Sequence, residues 1–298
     1  MSDRSPVLIL GCGFFGQALA QKLAFKGVPV AGTARGEPQL GIIRTRGASS
    51  VRFEGDLAVL DRLPIKVGRV VMSIPPEAGL DTALAAKVAY WGLAPGKIVY
   101  ISSTSVYGDH AGAEVIESTP PAPATDKARG RLAAEAIWQA IGASVIRPAG
   151  IYGPGRSLLH RIAARKYRLI DNGVAITNRI HVADLATLCE AAFAKEPGIY
   201  LGTDTHSTTQ AEVAEWCTRE LGLPALQPMS LAEARVRMDK DTLAMFSQSK
   251  RLNPTVTLAR LGVQLRFPSY REGFRDVWTR EKASLLALVA ESAPPSTG

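Results

Sequence analysis

The sequence predicts an α/β fold built on a doubly wound parallel sheet, with a smaller C-terminal lobe. Three observations predict it. Short apolar runs alternate with helical patterns through the first half of the chain. After Pro148 the rhythm changes to helices with irregular connections. Near the start, three glycines punctuate the junction between the first apolar run and the first helical pattern. Alternation of this kind implies parallel strands joined by right-handed helical crossovers.

Strands are expected at residues 7–10, 28–33, 50–53, 69–73, 97–102 and 144–147. Each is nearly continuously apolar, as a strand covered on both faces must be. Between the first two, Phe15, Leu19 and Leu23 recur every four residues and Gly27 closes the helix. A second helix is expected over 80–91, ending at Gly92. A third starts near Thr125 and carries Leu132, Ala136, Ile137 and Ile141 on its buried side. Further on, Thr209 with Glu212 and Ser230 with Glu233 read as capping boxes, each side chain satisfying an orphan amide. Asn253-Pro254 starts another helix, which Gly262 ends before a short strand at 263–267. A terminal helix ends over 283–290, and 292–298 reads as a frayed tail.

Composition excludes several classes. The 298 residues are 46% apolar and 21% charged, an ordinary soluble balance. Cys12, Cys189 and Cys217 are far apart and follow no metal-ligand spacing, so no metal is expected and a reducing compartment fits. The net charge of +8 favours anionic partners. The basic residues are spread out, apart from Arg161, Arg165, Lys166 and Arg168, and no nucleic-acid-binding motif is present, so the expected partner is a small molecule rather than nucleic acid. The apolar stretch 7–20 is short for a membrane span and its glycines suit a nucleotide loop better than a secretory signal. A cytoplasmic protein that does not enter the membrane is expected.

Gly11-Cys12-Gly13-Phe14-Phe15-Gly16 follows a strand and opens a helix, the context that gives the G-x-G-x-x-G pattern its meaning. One glycine makes the tight turn, one lets the backbone approach a pyrophosphate, and one packs helix on strand, while the helix N-terminus faces the phosphates with free amides. This is the Rossmann phosphate loop, and Gly11 through Gly16 are expected to bind a nicotinamide dinucleotide. The end of the second strand then reads Gly32-Thr33-Ala34-Arg35, with no carboxylate until Glu37. A guanidinium grips a 2′-phosphate with paired donors, so Arg35 points to NADP, with NAD as the alternative and a solvated surface residue as the plain reading. Asp56 follows the third strand, where an adenine contact or a turn cap is expected. Ser73 ends the fourth strand and is expected on the same cofactor edge.

Lys97-Ile-Val-Tyr-Ile-Ser-Ser-Thr-Ser-Val-Tyr-Gly108, Arg147-Pro-Ala-Gly-Ile-Tyr-Gly-Pro-Gly155 and Arg179-Ile-His-Val-Ala-Asp184, with the N-terminal glycines, resemble the extended short-chain dehydrogenase/reductases of the NAD-dependent epimerase/dehydratase type. The resemblance runs from Val7 to about Leu221 and more loosely through 268–274, close to an atypical bacterial subgroup. It implies that Ser103, four residues before Tyr107, matches the catalytic Ser/Thr that hydrogen-bonds the reacting oxygen. The family's Tyr-x-x-x-Lys pair is missing: counting back from Glu135, Lys127 stands at the Tyr place and Arg131 at the Lys place. Arg131 could still hold the nicotinamide ribose. Lys127 could act as a base only if burial or Arg131 lowers its pKa, and two solvated cations are an equal reading. Tyr107 is the reserve proton donor. Tyr152 and Arg156 lie where the substrate lobe begins, Asp184 is expected to cap the helix of Leu185 and Leu188, and His181 to be packed.

The resemblance thus implies a cofactor lobe over 1–147 and 179–201, a substrate lobe over 148–178 and 202–291, and redox chemistry on a hydroxyl or carbonyl of a sugar-nucleotide-like or other small substrate. It is compatible with a homodimer. A non-catalytic NADP sensor of the same fold is the alternative.

Overall fold

The structure is a computed structural model that describes residues 4–239, 243, 244, 246 and 248–292. Seven strands form one parallel sheet: β1 (Val7–Leu10), β2 (Val30–Ala34), β3 (Ser49–Arg52), β4 (Arg69–Met72), β5 (Ile98–Ile101), β7 (Ser144–Pro148) and β11 (Ile199–Gly202). Their order is β11-β7-β5-β4-β1-β2-β3, so the direction of winding reverses between β1 and β4. Crevices outside the carboxyl ends of such a switch point are where these sheets bind ligands. β1 and β4 are buried throughout, which accounts for the apolar run of β1 and for Val70-Val71-Met72 in β4 after the buried Arg69.

Helices cover both faces. On one, α1 (Phe14–Phe25) packs beside α6 (Val182–Ala192) over Val7, Ile9, Val71 and Val99. On the other, α3 (Leu80–Tyr90) packs beside α4 (Asp126–Gln139) over Leu8, Leu10, Val70 and Met72. Thr125 caps α4 by accepting from the Ala128 amide at 3.2 Å. Along α4 and just after it, the expected Leu132, Ile137 and Ile141 pack against the core, Ala128, Ala134, Glu135 and Trp138 are buried beside them, and of the expected residues Ala136 alone is exposed. A helix absent from the sequence reading, α2 (Glu37–Thr45), joins β2 to β3.

Between β7 and β11 the chain leaves the sheet, forming β8 (Gly150–Tyr152), α5 (Leu158–Ala163), β9 (Ile176–Thr177) and β10 (Arg179–His181), with β10 parallel to β8. Beyond β11 come β12 (Thr208–Thr209), α7 (Gln210–Glu220), α8 (Leu231–Arg237), β13 (Arg251–Leu252), α9 (Thr255–Leu261) and α10 (Tyr270–Glu291); β6 (Glu114–Val115) pairs with β13. A separate apolar cluster of Leu159, Ile162, Val213, Trp216, Tyr270, Phe274 and Leu285 holds α5, α7 and α10 together.

Three expectations need correction here. Residues 263–267 form no strand, because the amides of Arg266 and Phe267 donate to the Asp184 carboxylate, each at 2.9 Å, instead of to a ladder. Asp184 therefore ties this segment to α6, and the cap of α6 is His181, whose Nδ1 accepts from the Ala183 amide at 3.3 Å. Thr209 caps α7, but Glu212 turns away to Thr208, Tyr270 and Arg271, leaving half a capping box. The box at Ser230 and Glu233 is complete. The tail expected at 292–298 lies outside the described residues except for Ser292.

Candidate functional site

Two cavities open at the carboxyl edge of the sheet. The first, of about 610 Å³, is lined by Gly11, Gly13, Phe14 and Phe15 at its base, by Thr33, Ala34 and Arg35 at the end of β2, by Glu54 and Gly55 after β3, and by Ser73 and Ile74 after β4. The glycines are set by local geometry. Gly11 has φ +82°, and a Cβ there would sit 2.7 Å from the Ile74 amide nitrogen. Its own amide donates to Thr33 Oγ1 at 2.9 Å, fastening the loop to β2. Gly16 packs so closely on β1 that a Cβ would meet Ile9 Cγ2 at 3.1 Å. At Gly13 a Cβ would meet nothing within 4 Å, so this residue keeps open the space at the N-terminus of α1. The donor set suits a dinucleotide pyrophosphate: a backbone cradle that a side chain would fill, at the positive end of a twelve-residue helix.

Other residues named from the motif lie elsewhere. Cys12 is buried beneath the loop against Gly32 and off the cavity wall, and burial raises its thiol to about 12. Asp56 is also off the wall; it caps a 3₁₀ turn by accepting from the Ala58 amide at 2.9 Å. The Arg35 side chain is exposed on the wall. Glu37 is held by Arg44 at 2.5 Å and Arg52 at 3.4 Å, and these cations keep its carboxyl below the usual range. Glu54, which was not expected at the site, lines this cavity together with Glu77 and lies 3.4 Å from Arg52.

The second cavity, of about 660 Å³, opens from Ser103, Thr104 and Ser105 after β5 and runs between β8, β10, α5 and the approach to β13. Ser103 is half-buried on its wall and caps a 3₁₀ turn by accepting from the Ser105 amide at 3.1 Å, which leaves its hydroxyl hydrogen available. Tyr152 and Arg156 are also on the wall. So are cations that the sequence reading did not bring together: Arg161, Arg179 and Lys250, besides His160. Among the described residues no Asp or Glu lines this cavity. Arg179 directs one nitrogen to Thr177 Oγ1 at 2.5 Å, while its Nη1 is enclosed without a partner. Lys250 donates to the Gly108 carbonyl at 2.6 Å, and burial lowers its amine to about 8.

The proposed proton-transfer residues are not brought to either cavity. Lys127 is exposed on the first turn of α4. Arg131 donates to the Ile101 carbonyl at 3.0 Å, supporting the end of β5 instead of facing open space. Tyr107 is fully buried with its ring under the Arg147 guanidinium, and its hydroxyl approaches the Glu117 carbonyl at 3.4 Å. Burial raises its pKa, so the phenol stays protonated at neutral pH. His181 is packed against Tyr152 and Phe267, and burial, outweighing Asp276 at 3.6 Å, lowers it to about 4.

The two cavities adjoin, sharing Ile151 and Arg156. The model of the NAD dependent epimerase/dehydratase family matches residues 78–201. Protein YeeZ of Escherichia coli K12 is 30% identical over a stretch covering 60% of this chain and 69% of YeeZ. A conserved protein of unknown function from Silicibacter pomeroyi is 28% identical with a TM-score of 0.83, over 93% of this chain and 99% of that one. The UDP-glucose 4-epimerase of Thermus thermophilus, solved with NAD, has the same fold at 18% identity and a TM-score of 0.76, over 94% of this chain and 99% of its own. The chain belongs to the NAD-dependent epimerase/dehydratase family.

Proposed function

We propose that this chain is an NAD(P)-dependent oxidoreductase or epimerase/dehydratase acting on a hydroxyl or carbonyl of a small, nucleotide-linked substrate. The observation that carries the reading is the pair of adjoining cavities, one floored by the glycine loop and the other walled by cations without a carboxylate. In this reading residues 1–147 with 179–201 hold the cofactor and residues 148–178 with 202–291 hold the substrate. The amide of Phe14, at the N-terminus of α1, faces the pyrophosphate, and Arg35 takes a 2′-phosphate, which favours NADP over NAD. The cofactor, when bound, supplies the hydride acceptor or donor. Ser103 donates its free hydroxyl hydrogen to the reacting oxygen, and the cationic wall neutralises the phosphates of the substrate. The relatives solved with UDP-glucose and NAD support the pairing of ligand classes.

Two measurements test it. Wild type is expected to bind NADPH more tightly than NADH, and Arg35→Ala to abolish the difference, because a fork on a dianion exceeds the ~0–1 kcal/mol of a surface ion pair. Equal affinities in wild type would overturn the NADP assignment. Turnover against a panel of sugar nucleotides and simple carbonyl compounds is expected to fall about 10²–10³-fold in Ser103→Ala with cofactor affinity nearly unchanged. Full turnover in that variant removes Ser103 from the chemistry.

A second reading has its own observation: neither the Tyr107 hydroxyl nor Lys127 stands on a cavity wall. A protein that binds NADPH tightly and turns over no member of the panel is a cofactor sensor.

A further inference from the structure

Arg156 occupies a place that neither the family motif nor the cavity chemistry alone explains. It is the one charged residue on the walls of both cavities among the described residues. Its backbone is rigid. Gly153-Pro154-Gly155-Arg156 is a tight turn with proline second and Gly155 third at φ +80°, the conformation that glycine tolerates. Gly153 and Arg156 exchange both amide bonds, at 2.9 and 3.0 Å. The turn is fastened from outside: the Gly155 amide donates to Glu281 Oε2 at 3.0 Å, the same oxygen lies 3.2 Å from His160 Nε2, and His160 Nδ1 lies 2.8 Å from Ser157 Oγ. Its root is packed too, since a Cβ at Gly153 would meet Val182 Cγ1 at 2.7 Å.

The side chain presented by this rigid turn is, in contrast, exposed. Its guanidinium lies 5.4 Å over the ring of Phe14, the residue that opens α1 beside the phosphate cradle. Among the described residues it pairs with no carboxylate, and Glu281 is already committed to Gly155 and His160. A five-donor cation is therefore delivered to the passage between two ligand spaces with its hydrogen-bonding capacity unspent.

We propose that Arg156 is shared by the ligands of both cavities and couples them, so that a dinucleotide in the glycine-loop cavity raises the affinity of the basic cavity for a nucleotide diphosphate. This rests on the ligand classes of the reading above. Two effects give the coupling its sign. Anions placed on either side of the passage repel, and a guanidinium between them offsets that repulsion. The first ligand also orders an exposed side chain, so the second finds it already fixed. Because coupling is reciprocal, either ligand must strengthen the other by the same factor.

The test uses NADP⁺ and UDP-glucose as probes with the full chain, reading affinities by titration calorimetry. In wild type, saturating NADP⁺ is expected to tighten UDP-glucose binding about tenfold, within the usual range of coupling energies. Arg156→Ala is expected to bind each probe singly and to bring the factor to about one, and Arg156→Lys to retain part of it as a point charge. Undiminished coupling in Arg156→Ala, with both probes bound, overturns the proposal and leaves the ligand classes standing. UDP-glucose that binds neither with nor without NADP⁺, in a wild type that binds NADP⁺, overturns the nucleotide-substrate reading and the proposal with it.

Discussion

The glycine loop separates fold from function residue by residue. Gly11 and Gly16 are needed by the fold, the first for its positive φ and the contact with Ile74, the second for its packing on Ile9. Gly13 is different. Its φ of −80° suits any L-residue, and its missing Cβ would point into open space. Gly13→Val is therefore expected to fold with nearly wild-type thermal stability while losing NADPH affinity, because the branched side chain fills the space a pyrophosphate needs. Gly11→Ala should do the reverse damage, lowering the melting temperature through steric strain. Calorimetric binding beside thermal denaturation reads both. A Gly13→Val protein that binds NADPH normally would move the phosphate site off this loop. The glycine spacing was legible in the sequence because each requirement is local. The adjoining carboxylate Glu54 was not, since only the pairing of β3 with β2 brings it to the cavity edge.

At the scale of elements, α4 is bound to the sheet by charge as well as by apolar packing. The Glu135 carboxylate accepts from Ser102 Oγ after β5 and from Arg147 Nε and Nη2 in β7, the latter at 3.0 and 2.6 Å, and Arg147 lies over the Tyr107 ring at 4.7 Å. Both charged residues are at most 2% exposed. Burial works against the guanidinium, but the carboxylate outweighs it and holds Arg147 above its ordinary pKa. Glu135→Ala is expected to destabilise the protein by about 3–5 kcal/mol in denaturant titrations, since it strands a buried cation. A loss below about 1 kcal/mol would mean that solvent reaches Arg147 readily. Such ties also mark where sequence reading stopped. Six of the seven sheet strands were legible as short runs between helical patterns, whereas β11 was not anticipated, and α2 was not because Pro38 and Gly41 interrupt its pattern and only Leu40 and Ile43 are buried. The strand expected at 263–267 failed for a non-local reason: Asp184, some eighty residues earlier, takes its amides. Motif counting placed Lys127 and Arg131 correctly along α4 but carried no information about which way that helix turns its face.

At the scale of the whole molecule, four of the cations behind the net charge of +8 (Arg156, Arg161, Arg179 and Lys250) line a cavity that, among the described residues, has no Asp or Glu on its wall. The nearest candidate for a counter-charge is Asp204, which is 1% exposed on the segment after β11. Its Oδ1 accepts from the His206 amide at 3.3 Å and its Oδ2 has no partner among the described residues. Burial raises its carboxyl to about 8, against the opposing pull of Arg179. This upward shift disfavours the carboxylate beside Arg179, so the guanidinium on the cavity wall is less compensated than it would be by an ordinary aspartate. The same shift makes stability depend on pH. Between about 4 and 8 the folded chain holds a proton that the unfolded chain releases, so this group's contribution is full below the unfolded pKa of 3.8 and is lost as pH rises toward about 8. Wild type measured against Asp204→Asn, which keeps the shape and cannot ionise, is expected to lose up to about 1.4 kcal/mol per pH unit across that window and to level off above it. Denaturant midpoints at intervals of one pH unit check this directly. A difference that stays flat from pH 4 to 8 would mean that Asp204 is ionised in the folded protein and already neutralises Arg179. The basic wall would then be one cation weaker than its lining residues suggest, and an anionic substrate would have to rely on Arg156, Arg161 and Lys250.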